Sequence, residues 1–288
     1  MLSRSALTVI SAAVLYLGLA QTHAMPIDIL LESDTDSDAG SELFLANFND
    51  YQSLIDATVN SSSFSQLNLN STFSSGGLAF DGSSYQLLLE SDSDADAGSE
   101  LFIASFDSYQ NLIDGNVSSS SFSQLNLNST FSSGGLAFDG SSYQLLLESD
   151  ADSDAGSEVF MASFDSLQSL LDGTVASSSF SQLNINANFS SGGLAFDGSA
   201  YQLLLESDAD SDAGSEVFLA SFDSFQSLLD GTVASSSFSQ LNINANFSAG
   251  GFVAYAPEDP VAVSEPATLG LLILGLGALM LRHRRTLL

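Results

Sequence analysis

The sequence repeats itself four times, and that repetition constrains the fold more than any other feature. Glu32, Glu90, Glu148 and Glu206 stand in matching contexts 58 residues apart, as do Gly40, Gly98, Gly156 and Gly214. The copies run from about Ile27 to Tyr255 and divide as about 27–84, 85–142, 143–200 and 201–255, inside a domain of residues 25–256. A period of this order means that one supersecondary unit recurs as a solenoid, a propeller or an array, because a single unit cannot bury its own apolar face.

The second copy shows what the unit contains. Tyr85 to Glu90 is a short apolar run, expected as a strand. Glu100 to Phe106 is a second, with Phe102, Ala104 and Phe106 on one face and Leu101 and Ile103 on the other, the pattern of an inner strand buried on both sides. Phe122 to Phe131 alternates, placing Leu125, Leu127 and Phe131 opposite Asn126, Asn128 and Thr130, and predicts a half-buried third strand. Gly134 to Phe138 is a fourth strand, closed by Asp139-Gly140, a hairpin-turn signal. Phe106, Tyr109, Leu112 and Ile113 recur at helical spacing, so one or two helical turns are expected over Asp107 to Ile113.

Four strands in each of four repeats predict an all-β fold, a four-bladed β-propeller, with an extended β array as the alternative. One detail favours a ring. The array begins in mid-unit, at the Ile27 to Glu32 strand, and finishes with Gly250 to Ala254, the strand that precedes it in every other copy. Two complementary terminal fragments can complete one shared blade. The Gly-Leu-Ala-Phe-Asp-Gly string also resembles the inner strand of many propeller repeats.

Charge narrows the chemistry. All four basic side chains, Arg4, Arg282, Arg284 and Arg285, lie near the ends, and from Met25 through Leu281 there is no Lys, Arg, His, Cys or Trp. Triads built on His, Cys nucleophiles, Schiff-base lysines and arginine phosphoryl clamps are therefore excluded from this stretch. A non-enzyme is expected; a two-carboxylate glycosidase is the one common hydrolase scheme that the residue types still permit. With all 35 acids between Asp28 and Glu265, nucleic acid is excluded as an electrostatic partner.

Each repeat carries Asp-x-Asp-x-Asp-Ala-Gly-Ser-Glu: Asp34, Asp36, Asp38 and Glu42; Asp92, Asp94, Asp96 and Glu100; Asp150, Asp152, Asp154 and Glu158; Asp208, Asp210, Asp212 and Glu216. Calcium takes six to eight oxygen ligands, and alternate aspartates in a tight loop turn several carboxylates toward one point, so these sixteen residues are the candidate metal ligands. Gly at the seventh position and Glu at the ninth exclude the EF-hand, which needs them at the sixth and twelfth. The alternative is a solvated turn rich in Asp, Ser and Gly for conformational reasons.

The ends read as targeting segments. Arg4, an apolar run from Ala6 to Ala20 and a polar exit ending Thr22-His23-Ala24 predict a signal peptide over 1–24, cleaved after Ala24, with Ala20 as the second choice. Beyond a linker at 257–263, the segment 264–288 begins Ser264-Glu265-Pro266, continues apolar from Ala267 to Leu281 and ends in an arginine cluster. Under the positive-inside rule that cluster stays cytoplasmic and leaves the repeats outside. At the 1.5 Å rise of a helix, the apolar stretch reaches about 22 Å, short of the roughly 30 Å hydrocarbon core, which suits a transient transmembrane helix. A short Glu-Pro signature, a Gly/Leu-rich apolar helix and a basic terminus together resemble the PEP-CTERM sorting signal of Gram-negative bacteria. That resemblance implies processing by an exosortase at the motif, and association with exopolysaccharide and biofilm matrix; Ser264 stands where the family has its first proline. An ordinary membrane anchor is the alternative.

The sequence thus predicts an exported, surface-sorted repeat protein with a structural or adhesive role, calcium-stabilised through its loops. The competing class is a carbohydrate-binding propeller.

Overall fold

The computed structural model describes residues 26–254 apart from 34–41, 59–63, 70–72, 92–99, 118–121, 128–130, 150–157, 176–179, 185–188, 208–215, 234–237 and 243–246. All of these described residues belong to one unit of the chain. Among the described residues, sixteen strands and four short helices follow in order: β1 (Ile27–Ser33), β2 (Glu42–Phe48), α1 (Tyr51–Ile55), β3 (Phe64–Gln66), β4 (Phe73–Phe80), β5 (Tyr85–Ser91), β6 (Glu100–Phe106), α2 (Tyr109–Ile113), β7 (Phe122–Gln124), β8 (Phe131–Phe138), β9 (Tyr143–Ser149), β10 (Glu158–Phe164), α3 (Leu167–Leu171), β11 (Phe180–Gln182), β12 (Phe189–Phe196), β13 (Tyr201–Ser207), β14 (Glu216–Phe222), α4 (Phe225–Leu229), β15 (Phe238–Gln240) and β16 (Phe247–Ala254).

The strands form four antiparallel sheets of four, ordered β16-β1-β2-β3, β4-β5-β6-β7, β8-β9-β10-β11 and β12-β13-β14-β15. The strands β4, β8, β12 and β16 pack against one another around a common axis, so the architecture is a four-bladed β-propeller. The first blade is composite. β1 pairs with β2 on one side and with β16, the last strand of the array, on the other, from Ile27↔Ala254 to Ser33↔Phe247. The two terminal fragments do complete one blade.

Why the second strand of each blade reads as a continuous apolar run follows from its neighbours. Leu87 and Leu89 of β5 pack into a core shared with Leu43, Leu45 and Leu67 of the first blade. Leu88, pointing the other way, joins the core shared with Tyr143, Leu145 and Leu147 of the third blade. Both faces of every blade are buried against a neighbour, so the half-polar alternation of a two-layer sandwich has no place here.

The axis itself is closed by backbone. Gly77, Gly135, Gly193 and Gly251 have φ between +134° and +148°, and each approaches the equivalent glycine of the next blade. A Cβ placed on Gly193 would lie 2.6 Å from the Cα of Gly251, and one on Gly251 would lie 2.7 Å from the Cα of Gly77, which completes the circle. The residue before each of these glycines is bulged out of the ladder, as the register break between Ser133 and Gly135 records.

Two strand boundaries differ from expectation. The alternating run Phe122 to Phe131 is not one strand: only Phe122–Gln124 pairs at the blade's outer edge, and Phe131 already begins the inner strand of the following blade. Alternation within a run cannot distinguish one long strand from two short ones in different sheets. The structural blade is accordingly offset from the sequence period, β4 to β7 spanning Phe73 to Gln124. The expected helical turn is α2, capped by Ser108 Oγ, which accepts from Asn111 N, with Leu112 buried.

Candidate functional site

Blade junctions are where polar side chains converge. In the turn after β4, Oδ1 of Asp81 accepts from the backbone N of Ser83 (2.9 Å) and of Ser84 (2.8 Å), an arrangement that fixes the Asp-Gly-Ser-Ser turn. Its Oδ2 accepts from Gln86 Nε2 (3.2 Å) and, from the next blade, from the Tyr143 hydroxyl (2.9 Å). Asp139 repeats this with Gln144 and with Tyr201 (3.2 Å), and buried Asp197 with Gln202. Its phenol comes instead from the helix of the first blade, Tyr51, at 3.3 Å.

These contacts set the ionisation of the groups. Burial opposes ionisation of Asp81, but the bonds from Ser83, Ser84 and Tyr143 outweigh it and bring the carboxyl down to about 2. Asp139 is likewise lowered, by Ser142, Ser141 and Gln144 against the opposing effect of burial. The Tyr143 phenol is pushed up by burial, then by its bond to Asp81 and that carboxylate's charge. Tyr201 is raised by burial and by Asp139, and Tyr51 by burial and by Asp197. The fourth junction has Asp28 as its carboxylate: burial first, then the charge of Asp28, raises Tyr109. A chain without cations in its repeats thus satisfies its inward carboxylates with phenols, amides and backbone N–H groups.

At this end of the axis the inner strands enclose a shallow depression with room for about one water molecule, open to solvent and lined by Leu78, Phe80, Phe138, Phe196, Phe252 and Ala254 among others. Its lining side chains are all apolar and the polar atoms it exposes are those of the backbone, so it offers no reactive side chain. At the opposite end, glutamates bridge the junctions. The Glu90 carboxylate accepts from Ser133 N (3.3 Å) and Oγ (3.2 Å), Glu148 accepts from Ser191 N, and Glu206 from Ala249 N.

The outer edges repeat a third feature. Phe122 of β7 is 46% exposed and stacks on Phe102 with centroids 5.1 Å apart and planes 10° from parallel. Phe64, Phe180 and Phe238 are equally exposed and stack on Phe44, Phe160 and Phe218.

Of the candidate metal ligands, Glu42, Glu100, Glu158 and Glu216 open β2, β6, β10 and β14, opposite Ser33, Ser91, Ser149 and Ser207. The aspartates Asp34, Asp36, Asp38, Asp92, Asp94, Asp96, Asp150, Asp152, Asp154, Asp208, Asp210 and Asp212 lie outside the described residues. So do the cleavage position Ala24, the Ser264-Glu265-Pro266 motif and the apolar segment 267–281. Among the described residues, no three His, Cys, Asp or Glu side chains are grouped to hold a metal ion, and no helix is long and apolar enough to cross a membrane. Sequence reading missed the carboxylate–phenol junctions. Their signal is the pairing of the Asp81 and Asp139 turns with a tyrosine 62 residues later, one repeat on.

No protein-family profile and no curated protein matches the sequence. Among solved structures, the chain is similar to a crystal structure of TolB from Acinetobacter baumannii, with 12% identity and a TM-score of 0.33 over 82% of this chain and 46% of that one. It therefore spans about half the length of that protein. It is also similar to a chain in a crystal structure of a nidogen/laminin complex, with 10% identity and a TM-score of 0.32 over 80% of this chain and 98% of that one.

Proposed function

We propose that the protein is a non-enzymatic, exported and surface-sorted propeller with a structural or adhesive role in the cell envelope or extracellular matrix, stabilised by calcium at its acidic loops. The observation that carries this reading is the fourfold repetition of one loop sequence between equivalent strand ends. Ser33↔Glu42, Ser91↔Glu100, Ser149↔Glu158 and Ser207↔Glu216 flank the four Asp-x-Asp-x-Asp segments at the same end of all four blades. A ring that presents one feature four times gains avidity from a repetitive partner without any single strong contact. A neutral partner such as exopolysaccharide suits a chain of net charge −31 better than a polyanion.

The test is thermal unfolding in chelator and then in millimolar calcium, with magnesium and matched sodium chloride as controls. A calcium-specific rise in Tm supports linked metal sites. A rise reproduced by sodium chloride alone sinks the calcium part and leaves the acids as a solvated surface. Export and sorting are tested by cell fractionation, with accumulation in the cytoplasm as the outcome that counts against them.

The stacked, exposed phenylalanines favour a second reading, a carbohydrate-binding propeller that takes sugar rings on its blade edges. Loss of polysaccharide binding on replacing Phe64, Phe122, Phe180 and Phe238 together by Ser, with Tm retained, would favour it.

A further inference from the structure

One exposed turn recurs in all four repeats, and in the second it carries a chemical group that the others lack. Two residues beyond each helix's capping aspartate stands Thr58, Asn116, Thr174 or Thr232, exposed in every case. The backbone is the same at all four: Thr58 N donates to Ser53 O, Asn116 N to Asn111 O, Thr174 N to Ser169 O and Thr232 N to Ser227 O, each at 2.8 Å. The side chains differ. The second copy reads Asp114-Gly115-Asn116-Val117-Ser118, where the third reads Asp172-Gly173-Thr174-Val175-Ala176 and the fourth Asp230-Gly231-Thr232-Val233-Ala234. Both the asparagine and the hydroxyl of an Asn-x-Ser acceptor are therefore present in the second copy and missing from the other two.

Six Asn-x-Ser/Thr sequences occur in the chain, at Asn60, Asn70, Asn116, Asn128, Asn188 and Asn246. Asn116 alone follows an acid by two residues; the same place holds Thr58 before Asn60 and asparagine before the rest. A carboxylate there gives a transferase a charge to grip with a basic side chain, which fixes the register of the peptide. Asn188 and Asn246 lead directly into inner strands, where Ser190 and Ser248 are paired with Glu206 and Glu32. Asn116 lies outside the ladders. Val117 N donates to Gly115 O at 3.1 Å, a tight turn centred on Asn116. Asp114 is exposed beside it, its Oδ1 accepting from Gln110 Nε2 at 2.9 Å, a neutral donor that a charged one outcompetes. The first blade pins this turn: Asn68 N donates to Ile113 O at 2.9 Å, and Asn68 Nδ2 to Asp114 O at 3.3 Å.

We propose that Asn116 is an N-glycosylation site, modified by a transferase that reads Asp114 and takes its oligosaccharide from a lipid diphosphate. The assignment rests on the export proposed above, because acceptor and donor must meet on the outer side of the membrane. In the transfer a bond forms between Asn116 Nδ2 and C1 of the sugar, and the C1–O bond to the diphosphate breaks. The diphosphate leaves with the proton that Nδ2 gives up. One glycan then stands on one blade of four, a bulky hydrophilic group at a single turn of an otherwise repeated surface.

The test expresses residues 1–288 behind an added leader of proven export. The bacterial host carries a lipid-diphosphate-linked oligosaccharide and a transferase that requires an acid two residues before the asparagine. Recovery from the periplasm is scored separately and does not depend on residues 1–24, so failure of the native signal counts against export and leaves the site's test intact. Intact mass and peptide mapping are expected to show one oligosaccharide, on Asn116. N116Q and D114N lose it, and N70Q keeps it. T174N with A176S rebuilds the acceptor on the equivalent turn beside Asp172 and gains a second. Periplasmic protein without a glycan, or a glycan that survives N116Q, overturns the proposal. So does a T174N/A176S chain that carries only one, since the turn would then not be what presents the acceptor.

Discussion

The hydroxyl of Tyr143 donates to Oδ2 of Asp81 at 2.9 Å, across the junction between the second and third blades. It fastens two repeats through a polar bond embedded beside the apolar core that includes Leu145 and Leu147. Tyr143→Phe keeps the ring in that core and removes only the donor, while Asp81 retains Ser83, Ser84 and Gln86. The expected loss is about 1.5 kcal/mol, toward the upper end for a bond to a charged acceptor that is left partly satisfied. Urea denaturation checks it; a change below about 0.3 kcal/mol would show that solvent replaces the phenol without penalty.

Asp81 also sets a pH dependence. Its carboxyl in the folded chain lies near 2, below its ordinary value of 3.8, so its ionised form favours folding. That contribution is complete above the ordinary value and is lost as pH falls from about 4 toward 2. Over the same range, protonation of the other acids relieves the self-repulsion of a chain carrying net charge −31, an opposing trend. Comparison with Asp81→Asn separates the two. The variant is less stable at pH 7, and its deficit narrows below pH 4, measured as Tm against pH for both chains. A deficit constant from pH 7 to pH 2 would contradict this assignment.

How much of this was legible in the sequence depends on what each signal measures. The 58-residue period and the complementary terminal strands pointed to a ring closed in blade 1, and the β1–β16 pairing is that closure. Glu100 to Phe106 was readable to the residue because burial on both faces leaves a mark in composition. Phe122 to Phe131 was misread because the chain crosses from one blade to the next without breaking its alternation. The junction bonds were hidden for another reason. Tyr143 and Asp81 are 62 residues apart and belong to different copies, whereas reading a repeat as a unit looks only within one.

The glycine ring at the axis predicts a steep contrast between two substitutions of the same kind. Gly193 and Gly82 both have positive φ, +144° and +91°. A Cβ at Gly82 meets nothing within 4 Å, so Gly82→Ala carries backbone strain alone, about 1 kcal/mol. A Cβ at Gly193 meets the Gly251 backbone at 2.6 Å, and neither strand can withdraw without opening the ring. Gly193→Ala is expected to lose about 3 kcal/mol or more, strain and overpacking together. Similar losses for the two variants would mean that the axis is looser than the glycine contacts indicate.

One position departs from the repeat to the fold's disadvantage, and correcting it is expected to stabilise the protein. After each helix the chain turns through a left-handed residue: Gly115, Gly173 and Gly231 have φ between +64° and +67°. At the equivalent place after α1 stands Ala57, with φ +49°, where its N–H bonds to Leu54 O at 3.0 Å as the glycines bond to their own helices. Left-handed backbone penalises an L-residue with a Cβ by roughly 1–2 kcal/mol. Glycine escapes that penalty but loses about 0.5–1 kcal/mol through the greater freedom of its unfolded chain. The difference favours Ala57→Gly by about 0.5–1 kcal/mol. The helix turn here also receives Asn242 N on Ile55 O at 3.0 Å, one of the bonds between the last blade and the first, so relief of strain at residue 57 acts beside that junction. The gain should appear as a raised urea midpoint with unchanged m-value. A lowered midpoint would mean that the alanine methyl makes contacts worth more than the strain it imposes.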